Sequence, residues 1–300
     1  MKIDSRSRVS VFLVIMILFW GSSFVVVKLV LKEGLSPVAI ATYRFLIAGG
    51  IFLILLSFHK ENRRMHGFYT SRDLVTLVLL SLTGVTFYFI LQYTGIQMAS
   101  ASIASIFVCL LSPILISVLS TLILKERFTR KHFLGVAVAS LGTFMVITGG
   151  SLTVQNNLVF LYGSMLLLIT PLLWAIYSIL GKKMIETHDP FQVVAYVHVL
   201  GGLFLIPFFL YEGSLHLILE MTLRGWIAIL FLSIACSVIG YLIWFYAIRE
   251  LGASVTSSFL FAEPVVTVAL GTMFLGESLG IITVLGTALV FLGVYLVVKR

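Results

Sequence analysis

"FLFAEPVVTVALGTMFLGES", residues 259–278, sets one carboxylate, Glu263, beside Pro264 inside an apolar run, and ends near a second acid, Glu277, thirteen residues after the proline. "SPILISVLSTLILKER", residues 112–127, repeats that spacing with Pro113 and Glu126. The shared spacing suggests one structural unit used twice. The lone acid in an apolar run raises the question of which solvent surrounds it.

Composition answers the second point. Of the 300 residues, 60% are hydrophobic and 11% are charged, and mean hydropathy is +1.14. A soluble domain carries roughly 25% charged residues, so lipid must be the solvent for most of these side chains. A spanning helix needs about 20 apolar residues. Ten such segments are expected, near 9–31, 36–57, 73–94, 98–122, 132–149, 158–181, 190–211, 224–247, 252–275 and 280–298. The strict alternation of a β-barrel is not visible. The expected fold is therefore an all-α membrane protein of ten transmembrane helices. The first segment is too long for a signal-peptide core and lacks a small-residue cleavage site, so it reads as a retained helix. Cys109 and Cys236 lie inside spans without metal-ligand spacing and read as small buried hydrophobes.

A net charge of +8 would suit a polyanion binder until its distribution is mapped. Sixteen of the twenty Lys and Arg fall on the N-terminal tail, alternate loops and the C-terminus, whereas the opposite loops hold only Lys32 and Arg224. By the positive-inside rule, both termini are expected in the cytoplasm of a multi-pass cell-membrane protein. The basicity orients the chain, and no nucleic acid is needed to explain it.

The internal repeat sets the domain organisation. Pro113, Glu126, Gly135 and Gly142 recur as Pro264, Glu277, Gly286 and Gly293, each displaced by 151 residues. "ASIASIF" from Ala101 answers "ASVTSSF" from Ala253, and "GGIFLI" at Gly49 answers "GGLFLI" at Gly201. Pro37 and Pro190 open the second span of each half, and Trp20 and Trp174 hold comparable places in the first. Five-helix units are expected over 9–149 and 158–298. Five is odd, so the second copy would cross the membrane upside down. The charges agree: Glu126 stands among Lys125, Arg127, Arg130 and Lys131, while Glu277 has no basic neighbour. Inverted repeats suit a substrate site near mid-membrane reached by alternating access.

Four stretches carry a resemblance: "WGSSFVVVK" at Trp20, "YRFLIAG" at Tyr43, "LSPILISVLSTLILKERFTRKHFLG" at Leu111 and "AEPVVTVALGTMFLGESLG" at Ala262. They resemble the EamA group of the drug/metabolite transporter superfamily over most of residues 10 to 298. The resemblance implies a ten-helix exporter or exchanger of small metabolites. One departure stands out: where a second Tyr-Arg pair like Tyr43-Arg44 would fall, residues 195–199 read "AYVHV".

Glu263 sits near mid-span, where an ionisable group costs at least about 2.5–3.5 kcal/mol and usually faces a wet cavity or a partner. Two readings stay open: a proton-carrying coupling group, or an acid that locks a helix broken by Pro264. Pro113 is the matching hinge candidate. Arg44 cannot deprotonate, and three readings compete for it: pairing with Glu263, receiving a substrate anion, or snorkelling to the headgroups. Trp20, Ser23, Tyr88, Gln92, Trp174, Tyr177, His198, Tyr241 and Trp244 complete a candidate substrate-binding set, since metabolite pockets are mostly apolar with a few placed polar groups. Trp and Tyr also gather at membrane interfaces as anchors. Glu126 and Glu277 lie at helix ends, where capping suffices to explain them.

No HExxH, GxxxxGK[ST] or GxSxG is present, and no His/Cys/Asp ligands cluster. No cofactor and no metal are expected. The leading reading is a secondary transporter rather than an enzyme, with a small-molecule substrate and lipid as partners and a homodimer left open. An intramembrane enzyme or lipid-modifying protein using Glu263 and His198 is the alternative.

Overall fold

A chain in lipid must satisfy its backbone polar groups within itself, and each apolar run does so as a helix. The computed structural model describes residues 5–59, 69–99, 104–127, 129–149, 158–213, 221–275 and 280–298, and these contain helices and connections but no strand. The helices are α1 (Ser5–Lys32), α2 (Pro37–Phe58), α3 (Ser71–Met98), α4 (Phe107–Ile123), α5 (Arg130–Thr148), α6 (Leu158–Met184), α7 (Pro190–Glu212), α8 (Leu223–Leu251), α9 (Ala253–Leu270, with helical turns on to Leu275) and α10 (Ile281–Val298). Among the described residues, nine are long and apolar enough to cross a bilayer, and α4 is shorter. The chain is thus a multi-pass helical membrane protein. Glu277 and most of the basic stretch 58–72 lie outside the described residues.

Helix starts follow from local chemistry. Ser36 caps α2 by accepting from the Ala39 amide at 3.0 Å, and Pro37 enters at the first turn, where its missing N–H is not needed. Asp189 and Pro190 do the same for α7. Thr70 and Asp73 form a reciprocal capping box on α3. Two spans run longer than their apolar pattern suggests. α3 continues to Met98 and α8 to Leu251, because each contains a π-helical stretch, Leu82–Thr86 and Leu232–Ile239. A π turn takes up more residues for the same advance. The two stretches start 150 residues apart.

Glycines fix how the helices cross. A Cβ on Gly135 would fall 2.8 Å from the Gly293 carbonyl oxygen, and one on Gly142 would fall 2.6 Å from that of Gly286. The partner number falls as the first rises, so α5 and α10 meet antiparallel, backbone against backbone, as small residues allow in membranes. α2 and α7 repeat the pattern: Gly49 faces Val199, and Gly202 faces Phe45. α1 packs on α8 and α9, while α6 packs on α3 and α4. Exchanging the first five helices for the last five leaves this set of neighbours unchanged.

The α4–α5 corner is tied to α9. Glu126 accepts from the Ala253 amide at 2.8 Å and the Ser254 amide at 3.1 Å, capping that helix from across the bundle. Gly252, at φ +89°, makes the turn that presents those amides, a conformation that favours glycine. Ser254 Oγ also donates to Ser117 Oγ at 3.0 Å and lies 2.8 Å from His132 Nε2.

Gly142→Val is expected to destabilise the protein by about 1–3 kcal/mol through overpacking. Gly50→Val, where a Cβ meets nothing within 4 Å, is expected to be near neutral. Thermal unfolding of both variants in detergent checks the contrast.

Candidate functional site

The site grows out of the two π turns. A π turn leaves a carbonyl without its usual helical donor, and in lipid that oxygen must find another. Gly84 of α3 receives the Tyr241 hydroxyl at 2.9 Å, and Cys236 of α8 receives the Trp20 indole N–H at 2.9 Å. Gly240 allows the second contact, since a Cβ there would stand 2.4 Å from Trp20 Nε1. Backbone irregularity thus holds two large aromatics at the centre of the bundle.

Trp174 meets them from α6. Pro171 lies inside that helix and removes a donor from the Leu167 carbonyl, which Thr170 Oγ1 satisfies at 2.7 Å. Trp20 and Trp174 meet edge to face, with centroids 5.4 Å apart and planes at 81°. Tyr88 and Tyr241 lie 5.3 and 5.6 Å from Trp174. Edge-to-face pairs add about 0.5–1.5 kcal/mol beyond burial.

A cavity of about 40 Å³ lies against this cluster. Trp20, Ser23, Arg44, Tyr88, Gln92, Trp174, Tyr241 and Glu263, all singled out from the sequence, meet on its wall. Phe24, Phe89, Val108 and Leu260 join them. The volume admits a few waters but no metabolite, whose pockets run to about 300–1,000 Å³. In this conformation the cavity is too small for such a cargo.

Arg44 is 3% exposed. Its Nε donates to Ser237 Oγ at 2.7 Å and its Nη1 to Tyr93 Oη at 2.6 Å, while its Cζ lies 4.4 Å from the Phe89 ring centroid. The side chain therefore does not snorkel. Among the described residues no carboxylate lies within 4.0 Å of it, so it does not pair with Glu263 in this state. The Phe89 face offsets part of its burial. Glu263 is 4% exposed and accepts from Cys109 Sγ at 3.4 Å. One cavity thus holds a cation and an acid that do not touch.

The prolines stand where the helices change pitch. Pro264 follows a 3₁₀ stretch, Phe259–Ala262, and Pro113 follows a π stretch, Ile106–Leu111. Neither proline lines the cavity. The structure does not bring His198, Tyr177 or Trp244 to the wall either. His198 Nδ1 lies 2.8 Å from the Val194 carbonyl oxygen, with its ring among Phe52, Phe45 and Tyr241. Tyr177 packs between Tyr241 and Phe245, and Trp244 backs Trp20 and Trp174 at 5.6 and 5.5 Å. Glu263 and His198 do not share the cavity that an acid–base pair would need.

Two working residues escaped sequence reasoning. Ser237 binds Arg44 because the π turn aims it inward, and a single sequence carries no mark of that. Cys109 read as a small hydrophobe, yet it precedes Leu260 by the same 151-residue offset. That offset pairs it with a residue three before Glu263 and carries no mark of the contact between Cys109 and Glu263.

A multi-pass helical bundle with an aromatic and charged central cavity is an architecture suited to moving a solute across a membrane. The family model of the EamA-like transporter family matches residues 8–148 and again 161–299. The chain belongs to the EamA-like transporter family. It is 32% identical over 288 residues to an uncharacterized transporter of Archaeoglobus fulgidus, covering 96% of this chain and 98% of that one. It is 30% identical to the uncharacterized transporter YyaM of Bacillus subtilis, covering 92% and 89%. A probable terminal-alkyne amino-acid exporter of Streptantibioticus cattleyicolor is 24% identical, covering 96% and 92%. A solved crystal structure superposes with a TM-score of 0.75 at 18% identity, covering 98% and 99%, and so shares the fold.

Gly240→Ala is expected to push the Trp20 indole off the Cys236 carbonyl and out of register with Trp174. Tryptophan emission should then shift, and the rate of solute movement should fall by about a hundredfold, as misplacements near 1 Å can do, with the helical content unchanged. Fluorescence, circular dichroism and liposome uptake measure the three.

Proposed function

We propose that this chain is a secondary transporter that exports or exchanges a small organic metabolite across the cell membrane by alternating access. The repeats over 9–149 and 158–298 are read as inverted copies, with both termini in the cytoplasm. The observation that carries the proposal is the uncompensated Arg44. A buried cation with no carboxylate within 4.0 Å, on the wall of an aromatic cavity, suits an anionic group on the cargo. Guanidinium is the side chain best matched to carboxylate or phosphate.

Several features support alternating access. Antiparallel crossing of corresponding helices is what an inverted pair requires, and the symmetric neighbour set and paired π turns agree with it. The closed cavity calls for motion before a metabolite can enter, and the pitch changes ahead of Pro113 and Pro264 provide places to bend. Glu263 on the same wall is the coupling candidate, able to take up a proton when the cargo leaves. Relatives named as transporters support the class, and the one named an amino-acid exporter offers a first cargo type to try.

Sealed liposomes containing the purified protein should exchange a labelled carboxylated solute without altering it chemically. Arg44→Gln should weaken that exchange by about tenfold or more, the loss of one charge-assisted bond, while uptake of a neutral analogue should be unchanged. Equal loss for both solutes would remove the anion assignment. Glu263→Gln keeps the size and abolishes titration, so counterflow should lose its pH dependence; an unaltered pH profile would end the coupling role. Arg127→Cys should react with an impermeant thiol reagent from the cytoplasmic side and Ser278→Cys from the outside. Reaction from one common side would defeat the inverted arrangement.

A further inference from the structure

Away from the central cavity, a second and larger one of about 640 Å³ opens at the end of the bundle that carries most of the basic residues. It lies where the first turn of α5, the α8–α9 turn and the last turn of α10 converge. Arg127, Arg130 and Lys131 stand on one part of its wall, and Leu251, Val255 and Leu296 on another. Among the described residues its single carboxylate, Glu126, accepts from the Ala253 and Ser254 amides at 2.8 and 3.1 Å. Three cations therefore face one acid that is already engaged. His132, buried on the same wall, lies 2.8 Å from Ser254 Oγ.

The cavity adjoins a second, apolar one. Thr129 and Arg130 also line a neighbouring groove of about 370 Å³ with Phe133 and Leu134, which are 61% and 56% exposed on α5. A basic chamber that shares an arginine with an apolar groove matches a molecule with an anionic head and acyl tails. A free phosphate would use the chamber and leave the groove unexplained.

We propose that this cavity binds the phosphate headgroup of an anionic phospholipid from the adjoining leaflet, with its acyl chains on Phe133 and Leu134. Arg127, Arg130 and Lys131 hold the phosphate. Because Glu126 of the same wall caps α9, a bound headgroup steadies the tie between the α4–α5 corner and that helix. Juxtamembrane cations attract anionic lipid in just this setting.

The test is native mass spectrometry of the full-length protein, delipidated in neutral detergent and titrated separately with phosphatidylglycerol, phosphatidylcholine and glycerol phosphate. Phosphatidylglycerol should be retained one to one, and the other two should be lost under the same conditions. Arg127→Gln with Arg130→Gln should weaken retention roughly thirtyfold, as removal of two interfacial charges implies. Arg127→Lys with Arg130→Lys should keep most of it, which separates lost charge from lost folding. Lys182→Gln with Lys183→Gln removes the same charge from the same end outside the cavity and should change nothing. Equal loss in that control, or equal retention of phosphatidylcholine, would overturn the proposal. Binding of glycerol phosphate as tight as that of phosphatidylglycerol would reassign the cavity to a soluble anion.

Discussion

In lipid, a carbonyl released from a helix has no water to turn to, and that constraint shapes the centre of this molecule. Within the π turns of α3 and α8, the carbonyl oxygens of Gly84 and Cys236 accept from the Tyr241 hydroxyl and the Trp20 indole. Those two bonds set the ring positions, the rings set the cavity wall, and the wall sets where Arg44 and Glu263 can stand. An unsatisfied buried carbonyl costs about 1–3 kcal/mol, so the aromatic box and the backbone irregularity stand or fall together. Ser237, inside the second π turn, then reaches Arg44. Site chemistry here is a consequence of backbone accounting.

The same economy explains the glycines. Gly135, Gly142, Gly286 and Gly293 let α5 and α10 touch through backbone. Between such helices lipid gives no hydrophobic drive, and close packing supplies the attraction. The central helices, by contrast, carry the prolines and the changes of pitch.

Helix number, the paired prolines and the glycine faces were legible in the sequence because each is a composition or spacing signal that survives without neighbours. Eight of the residues named from the sequence reach the cavity for a related reason: a polar or large aromatic group at mid-span has few places to go but inward. His198 defeats that logic. Its imidazole bonds its own helix through Nδ1 at Val194 and packs among aromatic rings rather than on the cavity, and depth alone cannot tell the two fates apart. The lengths of α3 and α8 were misjudged because a π turn adds residues without altering the apolar pattern. Glu126 was legible as a capping residue, but not that the helix it caps is α9, across the bundle.

The two ends of the bundle are tied unequally among the described residues. At the basic end, Ser254 joins Ser117 and His132 in a buried chain beside the Glu126 cap, with the His188–Asp73 pair at 3.8 Å and the His59–Asp189 pair at 3.9 Å nearby. At the opposite end, exposed bonds run from Thr222 to Glu33 and from Ser36 to Glu212, and the buried Tyr43 ring packs on Phe209 at 5.3 Å. Exposed bonds exchange for water at little loss, whereas buried ones leave unsatisfied groups when they part. Arg44 adds a buried link beside the cavity itself, since its guanidinium bonds Tyr93 of α3 and Ser237 of α8 and so joins those two helices.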